Sequence, residues 1–317
     1  MNTIKFTNIY EPRTETHDVE IYENKKITIN NKEYLVDSHS QIIIYPTIKC
    51  NADCDFCLNK FDKTLCNCKN HLNKSDYINK LKNIFNTLKQ LNPYISICGG
   101  EPSLNELTID ILKLSREYNM KHRMFATNGS GLLKQYGNKI LLQHMKDNNA
   151  INNINISKAS FDERKNFNIM KYNINNSSLK TISTFCNIND MSARLSCLLH
   201  KNGIKDLKGI LEYHNISKKL GFKSEIFREQ IKTNIDNIFV NIIPIIDEIY
   251  SNKEFKYIRT LDGHYYKVDV FIYKDSIVKC YQEKYKSNDT LFIRDFIFLP
   301  DGHLYIARQH SNDLMIL

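Results

Sequence analysis

Long apolar runs are missing from these 317 residues. A membrane-spanning helix needs about 18 or more consecutive apolar residues, so no span is expected. The opening residues, MNTIKFTNIYEPRTE, lack an apolar h-region, and a secretory signal is not expected there. Dense basic runs are missing too. Lys and Arg number 44 against 35 Asp and Glu, a formal net charge of +9, but the basic residues are spread and interleaved with acids. That pattern suits a solvated surface; no nucleic-acid motif accompanies it, and a nucleic-acid partner is not expected. The excess leaves an anionic substrate open. There is no internal repeat and no low-complexity linker. What the chain does have is 42% hydrophobic and 11% aromatic residues, enough for a sizeable core, which excludes wholesale disorder.

Nine cysteines stand out. In a chain expected to be cytoplasmic, that many thiols suggest metal or redox work rather than disulfides, and an odd count argues against complete pairing.

Residues 1–40 read as a β-rich lead-in. VEIYENKKITINNKEYLV alternates around Asn30-Asn31, a hairpin signal. From 41 to about 235, short apolar runs alternate with amphipathic helices. The strands are expected at Gln41–Tyr45, Tyr94–Cys98, Arg123–Ala126, Asn153–Ser157, Arg194–Leu199 and Lys223–Phe227. The helices between them include one capped by Ser75, one over Leu107–Tyr118, one through Leu132–Met145, and one over Leu207–Leu220 ended by Gly221. Strand–helix alternation means parallel strands with right-handed crossovers. Six units are too few for a closed eight-stranded barrel. The expected fold class is therefore α/β, a partial (β/α)6 TIM-like barrel. From 236 to 317 a helix (Asn237–Tyr250) precedes β-like stretches, with a turn at Asp301-Gly302. This reads as a small β-rich cap over the barrel mouth.

Cys50, Cys54 and Cys57 are spaced C-x3-C-x2-C directly after the first strand. Thiolates so spaced can converge on one metal centre. A cubane iron–sulfur cluster takes about four Cys ligands, so three with no obvious fourth leave one iron open to another ligand. Structural zinc would want a fourth ligand, and a matching C-x2-C pair, and neither is obvious. The next strand ends in Cys98-Gly99-Gly100-Glu101-Pro102. A glycine pair there lets the backbone approach a ligand without a Cβ in the way, at the strand end where such folds bind ligands.

Together these residues resemble the radical S-adenosylmethionine (SAM) enzymes. CNADCDFC is similar to the cluster loop of that family and GGEP to its SAM-amine motif. ATNGSGLL (Ala126–Leu133), NINISKASFD (Asn153–Asp162), RLSCLL (Arg194–Leu199) and EIFREQ (Glu225–Gln230) are similar to the later strands. The resemblance spans about 41–235.

The resemblance implies one [4Fe–4S] cluster held by Cys50, Cys54 and Cys57, with SAM chelating the open iron. It implies Phe56 beside the adenine, and Gly99, Gly100 and Glu101 at the SAM amine. Thr127 and Asn128 would border the ribose or methionine, and Ser157 and Arg194 would meet the ribose or carboxylate. It names no catalytic residue. The implied chemistry is reductive cleavage of SAM to a 5′-deoxyadenosyl radical that takes hydrogen from a substrate carbon. That needs a flavodoxin- or ferredoxin-like electron donor and anaerobic conditions.

The chain departs from relatives that carry auxiliary clusters. IRDFIFLPDGHLYIARQHS (Ile293–Ser311) resembles a segment of molybdenum-cofactor cyclase and peptide-maturase relatives that ends in a ligand cysteine, and Ala307 stands there instead. Cys186, Cys197 and Cys280 read as packing or unassigned, as do Cys98 and the Cys66-Asn-Cys68…His71 cluster. His264, Tyr265, Tyr266, His303, Tyr305 and Arg308 are candidate substrate contacts. The expected function is hydrogen abstraction from a small metabolite in a biosynthetic pathway. A peptide maturase installing a crosslink or epimer is the alternative, weakened by a lead-in too short for a winged peptide-recognition domain. A non-catalytic iron–sulfur or zinc sensor is the alternative of another class.

Overall fold

The hairpin expected at Asn30-Asn31 forms, because both asparagines adopt the left-handed conformation (φ 50° and 60°) that a two-residue hairpin turn requires. It joins β1 (Asn24–Ile29) to β2 (Lys32–Ile44), paired antiparallel from Asn24↔Asp37 to Ile29↔Lys32. β2 runs unbroken across the expected boundary at residue 40 and supplies the first parallel strand. This computed structural model describes residues 5–6, 17–18, 24–60, 65, 68, 70–119, 123–230, 238–262, 266–283, 293–306 and 314–315.

Further along the chain come α1 (Lys74–Leu88), β3 (Tyr94–Ile97), α2 (Leu107–Glu117), β4 (Arg123–Thr127) and α3 (Leu141–Asp147). Then follow β5 (Asn153–Ser157), α4 (Glu163–Met170), α5 (Asn176–Ile188), β6 (Ser192–Leu198), α6 (Leu207–Lys219) and β7 (Ser224–Arg228). The last elements are α7 (Ile243–Ser251), β8 (Phe255–Asp262), β9 (Tyr266–Tyr273), β10 (Ser276–Glu283), β11 (Ile293–Phe298), β12 (Leu304–Tyr305) and β13 (Leu314–Met315). The fold class is α/β.

The chain divides into two units. The first comprises Met1–Glu20, Ala52–Phe56 and Ile154–Asn288; the second comprises Ile21–Asn51, Cys57–Asn153 and Asp289–Leu317.

In the second unit β4, β3, β2 and β11 are neighbours in that order and all run parallel. Ile42, Ile43 and Ile44 are fully buried, as is all of β3. Such near-continuous apolar runs are what parallel strands covered on both faces require. α1 buries Tyr77, Leu81, Ile84, Phe85 and Leu88, spaced for one helical face. The Tyr77 hydroxyl donates to the Tyr45 carbonyl at 3.0 Å, tying helix to strand.

In the first unit the order is β8-β9-β10-β7-β6-β5, with β6, β7 and β10 parallel and β8 and β9 antiparallel at the edge. Tyr213 of α6 stacks edge-on against Phe227. Beside it, Glu225 accepts the Ser217 hydroxyl at 2.6 Å and lies 3.3 Å from His214 Nδ1, all three fully buried.

Three local expectations are corrected. Asn73, not Ser75, caps α1: its side chain accepts the Asp76 N–H at 3.0 Å. The helix expected through Leu132–Met145 begins only at Leu141. A short hairpin, Gln135–Tyr136 with Lys139–Ile140, precedes it, turned at Gly137 with φ 64° and held by the Tyr136 hydroxyl on the Ser103 carbonyl. The helix expected over Asn237–Tyr250 is α7, which starts at Ile243, behind Pro244 in its first turn; residue 237 lies outside the described residues. Two of the C-terminal strands also join the parallel strands: β10 pairs parallel with β7, and β11 pairs parallel with β2. The Asp301-Gly302 turn does form, with Gly302 at φ 82° between antiparallel β11 and β12.

Candidate cofactor site

In the second unit the chain leaving β2 carries Cys50, and the chain leaving β3 carries the glycine pair. The two segments are laced together. Gly100 N–H donates to the Thr47 carbonyl at 2.9 Å and Glu101 N–H to the Lys49 carbonyl at 2.8 Å. A Cβ on Gly100 would stand 2.0 Å from the Lys49 oxygen, and one on Gly99, at φ 130°, 2.5 Å from the Thr47 oxygen. The glycines are therefore required by the approach of this backbone to the segment entering Cys50. Asn59, two residues after Cys57, donates through Nδ2 to the Gly99 carbonyl at 3.1 Å.

Glu101 is 2% exposed. Its Oε1 accepts Ser103 N–H at 3.0 Å and the Ser103 and Thr127 hydroxyls at 2.5 Å each; its Oε2 accepts Asn128 N–H at 2.6 Å. Burial raises this carboxyl above the usual carboxylate range, and the four donors oppose the rise. A carboxylate offers about four lone-pair sites. Among the described residues Oε2 has one donor, which leaves room for another.

Asn128 completes the lacing. Its Nδ2 donates to Asn51 Oδ1 at 2.8 Å and lies 4.0 Å from Cys50 Sγ, while its Oδ1 accepts Ser130 N–H at 2.9 Å. Thr127 accepts Gly129 N–H at 2.9 Å while donating to Glu101. Asn51 and Asn59 were not singled out by sequence, since lone loop asparagines look like turn formers.

In the first unit Ala52–Phe56 runs along the end of α4. Asp53 N–H and Asp55 N–H donate to the Met170 and Ile169 carbonyls at 3.0 Å. Cys54 and Phe56 pack on Ala159, Ile169 and Met170. Arg194 lies on β6 and its Nε donates to Asn155 Oδ1 across to β5. Ser157 ends β5, half-buried.

The thiols divide by environment. Cys50 is exposed and Cys54 and Cys57 are half-buried, none of them in a disulfide. Cys68, Cys186, Cys197 and Cys280 are buried. Burial pushes Cys68 up to about 11 and Cys186 up to about 12, and holds Cys197 and Cys280 higher still. Thiols held protonated in this way are poor ligands, because metals bind the thiolate. Cys98 packs half-buried against the core of the second unit. Cys66, His264, Tyr265 and Arg308 lie outside the described residues. Tyr266 is in the first unit, and His303 and Tyr305 in the second. Among the described residues no three His, Cys, Asp or Glu side chains are gathered as a metal ion would require. The donor chemistry nonetheless suits an iron–sulfur cluster: three thiols outside any disulfide, none fully buried, in one short stretch of chain.

The family model of the radical SAM superfamily matches residues 44–213. The chain belongs to the radical SAM superfamily. Radical SAM enzymes use a [4Fe–4S] cluster and SAM, and these are the cofactors of this superfamily member. No curated protein matches the chain in sequence. Among solved structures it is similar to native anSMEcpe with bound AdoMet, at 14% identity and a TM-score of 0.54, over 86% of this chain and 75% of that one. That likeness shows the fold, the partial TIM-like barrel. It is also similar to Streptococcus suis SuiB, at 18% identity and a TM-score of 0.48, over 63% of this chain. The match spans 42% of the length of SuiB. A domain of pyruvate-formate lyase-activating enzyme from Bacteroides vulgatus gives 19% identity and a TM-score of 0.38, over 49% of this chain and 89% of that one. Among the described residues no helix is long and apolar enough to cross a membrane.

Proposed function

We propose that this radical SAM protein removes hydrogen from a small-metabolite substrate in a biosynthetic pathway. When bound, the cluster and SAM supply one-electron reductive cleavage of the sulfonium, with the electron coming from a flavodoxin- or ferredoxin-like donor. The observation that carries the reading is the Glu101 carboxylate, which fixes the glycine segment to Thr127 and Asn128 while Asn128 reaches Asn51 beside Cys50.

The roles proposed for the residues are those that the family resemblance implies. Cys50, Cys54 and Cys57 supply the thiolates. Glu101 Oε2 holds one acceptor site for the SAM ammonium, joined by backbone carbonyls of the Gly99-Gly100 segment. Thr127 and Asn128 border the methionine or ribose. Phe56 presents a ring to the adenine from its bed on Ala159. Arg194, held to Asn155, and Ser157 are the residues assigned to the ribose or carboxylate, a guanidinium being suited to the latter.

The test is anaerobic reconstitution. Native protein is expected to take up about four irons per chain, and Cys54→Ala to lose iron. A Cys54→Ala protein that kept a full cluster would overturn the ligand assignment.

A further inference from the structure

The sheet of the first unit has two unlike faces. Phe227 and Glu225 of β7 point toward α6, where Tyr213, Ser217 and His214 meet them. The alternate residues, Ile226 and Arg228, point to the opposite face. The register places Leu198 and Tyr281 beside Arg228, and Lys279 beside Ile226. Arg194 and Arg259 fall on the same face by the same alternation. Among the described residues of these strands this face carries Arg194, Arg228, Lys256, Arg259 and Lys279 against one carboxylate, Glu283.

Arg228 differs from the other cations in its place on the sheet. It ends β7, at the C-terminal edge of the parallel strands, where such folds bind ligands. Its guanidinium lies over the Tyr281 ring, 4.7 Å from the centroid. Its Nε is buried with no hydrogen-bond partner, and among the described residues the guanidinium has no carboxylate partner. A buried guanidinium N–H left unpaired is costly unless something else pairs with it. Two residues on, Gln230 is 5% exposed, and its buried Oε1 also has no partner. An apolar bed of Leu261, Val268 and Val270, with Tyr266 and Tyr281, lies on the same face.

We propose that Arg228 and Gln230 form the substrate's anchoring site, and that the substrate is an amino-acid-like carboxylate. The planar fork of Arg228, pre-oriented by Tyr281, takes the carboxylate in two parallel hydrogen bonds. The Gln230 carbonyl accepts the N–H that an amino acid carries next to its carboxylate. This deepens the proposed function and rests on it, since it takes these strand ends as the substrate side.

N-acetylglycine, which has a carboxylate and an amide N–H, is the probe, with N-acetylglycinamide as the neutral control. Binding is followed by ligand-observed NMR on the reconstituted protein, and iron content reports that each variant has folded. Native protein should bind N-acetylglycine and not the amide. Arg228→Gln should weaken binding about tenfold or more, the scale of one lost charged hydrogen-bond pair. Arg228→Lys, which keeps the charge and loses the fork, should fall between. Equal binding to native and Arg228→Gln protein would overturn the site, as would displacement of N-acetylglycine by SAM, which would make Arg228 a reader of the cofactor's carboxylate. If native protein takes up iron and yields 5′-deoxyadenosine but ignores N-acetylglycine, only this site fails. If it does neither, the proposed function fails independently.

Discussion

The Glu101 carboxylate accepts the backbone N–H of Asn128 at 2.6 Å, so the end of β3 is pinned to the end of β4 through a buried charge-assisted bond. Three more donors converge on the same carboxylate. Glu101→Gln exchanges one acceptor oxygen for an NH2 that faces N–H and O–H donors. The expected cost is about 1–3 kcal/mol of stability, the range for an unsatisfied buried polar group, together with weaker SAM binding. Urea unfolding and calorimetric SAM titration check the two effects.

Gly100→Ala tests the close approach that places Cys50. The added Cβ would meet the Lys49 carbonyl at 2.0 Å, and backbone cannot swing aside as a side chain can. Overpacking of this kind costs about 1–3 kcal/mol. The variant should be less stable and should reconstitute with less iron than native protein, read by denaturant midpoint and by iron assay.

Asn128→Ala removes the link to Asn51 and the cap on the Ser130 N–H. Each lost bond is worth about 1 kcal/mol. The sharper expectation is faster loss of cluster iron to a chelator, because the loop carrying Cys50 loses its tether. Unchanged release kinetics would remove Asn128 from the support of the cluster loop.

Lys158 gives a pH signature. It is 1% exposed, its Nζ donates to the Ile174 carbonyl at 3.0 Å, and burial lowers it to about 8. A lysine depressed in the folded state binds its proton less tightly than in the unfolded chain, so stability rises with pH between that value and the ordinary lysine value of about 10.4. Native protein should therefore gain on Lys158→Met as pH rises from 8 toward 10. Chemical denaturation of both proteins across that range reads the difference directly.

Much of this was legible in the sequence because the signals are local. Ile42–Ile44 announces a strand buried on both faces, Asn30-Asn31 a hairpin, and Gly221, at φ 91°, the end of α6. The spacing of Cys50, Cys54 and Cys57 and the Gly99-Gly100 pair identified the family. The illegible parts depend on partners far away in the chain. β11 pairs with β2 across most of the sequence, and no local pattern encodes that pairing. The glycine pair suggested room for a ligand, whereas its first requirement is the backbone at Thr47 and Lys49. Arg228 has a buried Nε without a partner, which no local pattern encodes.

The most direct measurement of the central claim is 5′-deoxyadenosine formed from SAM by the reconstituted protein under anaerobic conditions with dithionite as reductant. The account predicts 5′-deoxyadenosine and methionine in equal amounts from native protein and neither from Cys54→Ala. A native protein with a full complement of iron that leaves SAM intact would contradict it.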